Sequence, residues 1–303
     1  MRRLLLIAFL ISCFAVVSVQ AVEINPAGKI YLLDTSARIL GMGGCGSLIG
    51  DASSGLYNPA AQNINPDAAG SLYWNPDPAF GFNHDFVAVS LAASSEFGHI
   101  AFSYLVRDGL EDSYYPPEEA TSFVIAGRPS KKLNLHLGLG FKILVTEPQQ
   151  VPFTPINDQN TKAYKMGFDL GAVYSGLFPE TTSGGIDPLR NRWRSRFGLP
   201  AERGISVGAA FLNLGGEVDY ENTVVDAPLP QTFRGDLLWN AYADAVYGLK
   251  VALQFQKMLV GRKKSDNPEM PGGYYKASDA IFNAWGGGSY EGPWTTRFGV
   301  EMT

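Results

Sequence analysis

The side chains that could do chemistry are few and scattered. Histidine occurs only at His84, His99 and His136, each on a different expected strand or strand edge. No H-E-x-x-H pair or paired Cys/His spacing is present, so the sequence offers no metal site. It has no G-x-S-x-G elbow to raise a nucleophilic serine. The carboxylate pair Glu118-Glu119 reads as solvated side chains of an outer loop rather than an acid/base dyad. Gly41-Met42-Gly43-Gly44 has the glycine to cradle a phosphate, but no G-x-x-x-x-G-K-[ST] accompanies it and no strand and helix flank it. The expectation is a protein that is not an enzyme, with no cofactor and no metal.

What remains is a chain built for position. Only 17% of the residues are charged, below the roughly 25% of soluble domains, while 12% are aromatic and 34 are glycine. Such a composition supplies little charge for a wet surface. Residues 1–21 read as an export signal: Arg2 and Arg3, an apolar run from Leu4 to Val17, and a small-residue cleavage site ending at Ala21. Leu10-Ile11-Ser12-Cys13 also fits the pattern at which a lipoprotein signal is cut and its cysteine lipidated, which is the alternative. Removing 1–21 takes the net charge from −5 to −7 and leaves Cys45 alone. An acidic chain argues against nucleic acid, and a single cysteine excludes an intrachain disulfide.

No later stretch approaches the about 20 apolar residues of a spanning helix. From about residue 86 the pattern is instead alternation with period two, the mark of strands. Leu133, Leu135, Leu137, Leu139, Phe141 and Ile143 alternate with Asn134, His136, Gly138, Gly140 and Lys142. Tyr164, Met166, Phe168 and Leu170 alternate with Lys165, Gly167, Asp169 and Gly171, and Leu249 to Phe255 behaves likewise. The polar face is glycine-rich rather than laddered with Lys, Glu and Thr, and the expected outward face is oily. Together with the export signal this favours an all-β transmembrane antiparallel barrel, over a soluble sandwich, in a Gram-negative-type outer membrane, with lipid and lipopolysaccharide around it.

Strands are expected at 69–76, 86–95, 99–107, 121–128, 133–146, 163–175, 204–213, 230–243, 248–257, 280–289 and 294–303. Short connections then alternate with long ones, as in barrels with short periplasmic turns and long outer loops. The connection 176–203 is long where a short one is due. It holds Arg190, Arg192, Trp193, Arg194, Arg196 and Phe197, which read either as a docking site for a periplasmic partner or as a solvated insertion. Eleven strands would end the chain at the outer face with an open edge, so a C-terminal truncation is expected.

Residues 34–61 look unlike a strand. Ser36-Ala37-Arg38-Ile39-Leu40-Gly41-Met42-Gly43-Gly44 is followed by Asp51-Ala52 and Asn58-Pro59-Ala60-Ala61. Glycines permit a close-packed backbone and Asn-Pro a turn, which suits a compact plug in a barrel mouth. The organisation expected is a signal at 1–21, a plug or hatch at 22–66 and a barrel at 67–303.

This run resembles the N-terminal hatch of FadL-like outer-membrane proteins, and specifically the PorV/PorQ family. Ala126-Gly127-Arg128-Pro129, Gly138 to Lys142, Asp169 to Ala172, Asn213 to Gly216 and Pro228 to Pro230 are similar to later stretches of that family. Tyr57 stands where the family often has tryptophan, and the 176–203 insertion is unusual for it. The resemblance implies a fourteen-stranded plugged barrel, with Gly41, Met42, Gly43, Gly44, Asp51, Asn58, Pro59 and Ala60 as the hatch motif. It further implies a non-enzymatic role in a type IX-like secretion system, holding a translocon or cargo with C-terminal sorting signals. The alternative is a FadL-like transporter of hydrophobic small molecules.

Overall fold

The computed structural model describes residues 27–64, 68–75, 86–95, 98–107, 117–129, 134–146, 162–177, 204–218, 227–243, 248–260 and 294–302. The strands are β1 (Ala68–Asn75), β2 (Phe86–Ser95), β3 (Gly98–Arg107), β4 (Glu118–Gly127), β5 (Leu135–Thr146), β6 (Ala163–Leu177), β7 (Gly204–Leu214), β8 (Glu217–Val218), β9 (Ala227–Pro228), β10 (Thr232–Ala243), β11 (Gly248–Met258) and β12 (Trp294–Met302). Ten form one antiparallel sheet in the order β1-β2-β3-β4-β5-β6-β7-β10-β11-β12, and β8-β9 is a small separate ribbon. All the described strands except the β8-β9 ribbon lie within three residues of the expected ranges.

The order at the carboxyl end differs from the expected meander. The range 280–289 lies outside the described residues, and the place beside β11 belongs to β12, antiparallel from Leu249 opposite Met302 to Lys257 opposite Trp294. Among the described residues the sheet has ten strands.

Register is pinned from both faces. On the outer face Phe102 stands opposite Phe123, Phe141 opposite Phe168 and Phe211 opposite Phe233, with ring centroids 5.0, 5.5 and 5.2 Å apart. Opposed aromatic pairs stabilise a given register. On the inner face Ser71, Ser90, Ser103, Ser122 and then Lys142 stand opposite one another across five strands. A one-residue slip would exchange these two sets.

The polarity of the two faces is the reverse of that in a soluble sheet. Leu72 is 75% exposed and Leu139 63%, and Trp74, Leu91, Phe123, Ile125, Met166, Phe168, Trp239 and Phe255 are exposed with them. Buried on the other face are Arg107, Glu118, Lys142, Asp169, Arg234, Asp236, Lys250 and Gln254, among alanine, serine and glycine. The small residues leave room over that face, and residues 27–64 fill it. They comprise a 3-10 turn at Lys29–Leu32, a short helix α1 (Ala37–Gly41) and 3-10 turns at Ser54–Leu56 and Pro59–Ile64. Ser36 caps α1, its hydroxyl accepting from the Ile39 N–H.

The segment touches strands at both edges of the described sheet. Arg38 reaches Glu301 of β12 on one side and the Gly50 carbonyl on the other. Ala52, two residues further, packs with Ala69 of β1, Ala92 of β2, Ala101 of β3 and Val124 of β4. The first and last strands thus meet one small patch of the segment. No helix among the described residues is long and apolar enough to cross a membrane.

Candidate functional site

The hatch motif seats on glycines of the sheet. A Cβ at Gly138 would strike the backbone of Pro59 and Ala60, and one at Gly171 would strike the Asn58 carboxamide. Asn58 accepts from the Ala60 N–H through Oδ1, and its Nδ2 donates to the carbonyls of Ala172 and Ala209 at 3.4 Å. One side chain thereby closes an Asx turn and ties it to β6 and β7. Asp51 accepts from the Ser53 N–H and hydroxyl and from the Ser36 hydroxyl, joining the two halves of the motif.

The four residues from Gly41 divide by position. Gly41 is exposed with nothing near it, whereas Met42 is buried against Gly299 of β12. Gly43 and Gly44 have φ of 63° and 78°, a left-handed backbone that glycine adopts without strain. Both lie against β12, Gly43 on the Phe298 carbonyl and Gly44 on the Arg297 guanidinium. The run serves close approach, and α1 before it has only five residues.

Four clusters of charge join segment and sheet. Glu118, which the sequence places in an outer loop as half of a solvated pair, instead begins β4 and is 2% exposed. It stands directly opposite Arg107 and pairs with it at 3.1 Å. Its two oxygens accept the N–H groups of Gly28, Lys29 and Ile30 at 2.9, 3.2 and 2.8 Å. A carboxylate so surrounded is an anchor for the start of the segment and has no lone pair aimed at a substrate. Glu119, on the outer face, accepts from the Tyr104 hydroxyl.

Lys142 is 1% exposed. It pairs with Asp169 at 2.8 Å, donates to Asn213 Oδ1 at 2.9 Å and lies 4.8 Å over the Tyr31 ring. Asn213 holds φ 56°, returns its N–H to Asp169 Oδ1 at 2.6 Å and donates to the Pro230 carbonyl. Arg38 grips Glu301 through two nitrogens at 2.6 and 2.9 Å, and Lys250 joins at 3.3 Å. Arg297 meets Asp34 at 3.4 Å, while Arg234 lies 4.8 Å over the Tyr57 ring.

Tyr57 accepts from the Thr35 N–H at 2.8 Å, and burial followed by the Asp34 charge pushes its phenol above the ordinary range. Burial and the Asp169 and Glu118 charges do the same to Tyr31. His136 is buried between Asn63 and Ser175, and His99 is half-buried on β3. Among the described residues no group of three or more His, Cys, Asp or Glu could hold a metal.

A cavity of about 10 Å³, room for a single water, lies between Tyr31, Leu56, Tyr57, Leu105 and Lys142. Arg190, Arg192, Trp193, Arg194, Arg196 and Phe197 lie outside the described residues, as does His84. Sequence reading missed Arg38, Asp34, Arg234, Arg297 and Glu301. The signal available for them was a charged residue at an inward position of an alternating strand, or inside the small-residue motif.

No protein-family model matches this chain, and no curated protein matches it significantly.

Proposed function

We propose that the protein is a non-enzymatic outer-membrane β-barrel, closed by β1 against β12 and plugged by residues 27–64, that serves a type IX-like secretion system. The observation that carries this is the inverted sheet: an apolar face that is exposed and a polar, charged face covered by the chain's own segment. A soluble protein would leave that apolar band in water, whereas lipid accepts it and requires every backbone group of the wall to be paired. The ten strands of the sheet run from 8 to 15 residues, close to or above the about 9–11 needed to cross at a tilt. Exposed Trp74, Tyr104 and Tyr164 lie toward the end of the long connections, and Tyr174 and Trp239 toward the other, as interfacial girdles require. Antiparallel closure is supported by the small patch of the segment that both edge strands of the described sheet approach.

The seating of residues 27–64 on the charged face of the sheet supports a role for the barrel's rims and loops. The secretion assignment rests on the resemblance of residues 36–61 to the PorV/PorQ hatch, with translocon and cargo bearing C-terminal sorting signals as partners. Deleting the gene tests it. Cargo with C-terminal sorting domains is expected to accumulate in the periplasm, and affinity purification from outer membranes to recover the translocon. Normal secretion with lost uptake of a hydrophobic small molecule would establish the transporter instead.

A further inference from the structure

We propose that Arg234 and Arg297 form an anion-binding pair on the inner wall, occupied by the chain's own Asp34, that takes a carboxylate-bearing ligand when Asp34 is withdrawn. Arg234 is 2% exposed, and its Nε and Nη1 have no hydrogen-bond partner among the described residues. Its Cζ lies 4.8 Å from the centroid of the Tyr57 ring, and Tyr57 in turn holds the N–H of Thr35, next to Asp34. A buried guanidinium with unbonded N–H groups is costly. The charges of Arg297 and Asp34 both reach it, so two like charges share this region and an anion beside them relieves both.

Asp34 fills the site loosely. Its Oδ1 stands 3.4 Å from Arg297 Nη1, which also donates to the Gly44 carbonyl at 3.2 Å, where a charge-assisted bond is about 2.7–2.9 Å. The same segment is gripped at 2.6 and 2.9 Å by the two-pronged Arg38–Glu301 pair. The contrast marks Asp34 as the replaceable contact and Arg38 as the fixed one. Asp236 acts on Arg234 more strongly than Asp34 does, with Oδ1 bound by Gln254 at 2.7 Å and Oδ2 unbonded among the described residues, but it is fixed in β10 and stays when Asp34 is withdrawn. Gly44 makes the approach possible, since a Cβ there would stand 2.5 Å from Arg297 Nη1. This site is independent of the secretion role, and a carboxylate arriving in the lumen would compete with Asp34 and loosen the segment around it.

The test is rescue of Asp34→Ala by formate in the purified full chain in detergent. Formate, compared with chloride at equal ionic strength, is expected to raise the unfolding midpoint of Asp34→Ala. It is expected to leave the unsubstituted chain and Asp34→Ala combined with Arg234→Gln and Arg297→Gln unmoved. If Asp34→Ala folds poorly in chloride, its refolding yield in formate is the same readout. No formate-specific gain, or a gain that survives loss of both arginines, overturns the proposal.

Discussion

Each buried charge is held by a different number of partners, and that number sets what its loss costs. Glu118 balances Arg107 and three N–H groups at once. Glu118→Ala removes one half of a buried ion pair and the acceptor of three N–H groups, and is expected to cost about 3–5 kcal/mol. Glu118→Gln, which keeps the shape, should cost less. Urea unfolding of the purified chain measures both, and a loss below about 0.5 kcal/mol, typical of a surface site, would falsify the anchoring role. Cys45 is the second residue-scale case. Burial, and then the Asp236 charge, pushes its thiol up to about 12 from an ordinary 9. The folded chain therefore holds this proton where the unfolded chain releases it. Its contribution to stability is complete below about pH 9 and is lost progressively as the pH rises toward 12. Maleimide should label Cys45 slowly at pH 8 in the folded protein and quickly in urea. Equal rates would show that the thiol is reachable. Glu118 was illegible in the sequence because its partner is set by the register of β3 on β4 rather than by neighbouring residues, and the preceding Tyr114-Tyr115-Pro116-Pro117 imitates a loop.

At the scale of elements, alternation gave away the strands because each buries one face against the segment and exposes the other, which writes period two directly into the residues. Sheet order was less legible. A run such as 280–289 can alternate without revealing its neighbour, and only long-range pairing puts β12 beside β11. The N-terminal segment was recognisable as irregular from its glycines, yet what it touches depends on glycines far away in β5, β6 and β12. That dependence is testable. Gly138→Val and Gly171→Val drive a side chain into Pro59-Ala60 and Asn58, whereas Gly41→Ala meets nothing. The two valine variants are expected to speed proteolysis within 27–64 and lower the unfolding midpoint, and Gly41→Ala to leave both unchanged. Valine variants as resistant as the parent would mean that the segment does not sit on these glycines.

In the proposed barrel each face meets a different solvent, and this makes the outer face sensitive in an unusual direction. Leu139→Arg is expected to weaken the folded state by about 2–4 kcal/mol in lipid vesicles if the position lies near mid-bilayer. The same exposed substitution in a soluble sheet would be nearly neutral. Orientation follows from the path of the segment. Ala27 donates its N–H to the Pro228 carbonyl, in the connection between β7 and β10, at the same end as the connections of β3 to β4 and β5 to β6. Asn63 meets His136 near the start of β5, at the end where β10 turns into β11 and where β1 begins. The segment thus runs along the sheet from one end of its strands to the other before the first strand starts. With the longer connections outside the cell, as the proposed barrel places them, an epitope inserted just before Ala27 emerges on the cell surface, although the next strand enters from the periplasm. Antibody should label that epitope on intact cells, and should label one inserted between β10 and β11 only after the outer membrane is permeabilised. The reverse pattern would invert the barrel. Labelling of both epitopes on intact cells would mean that the segment does not thread the sheet in the membrane, and the plug would have to be sought elsewhere.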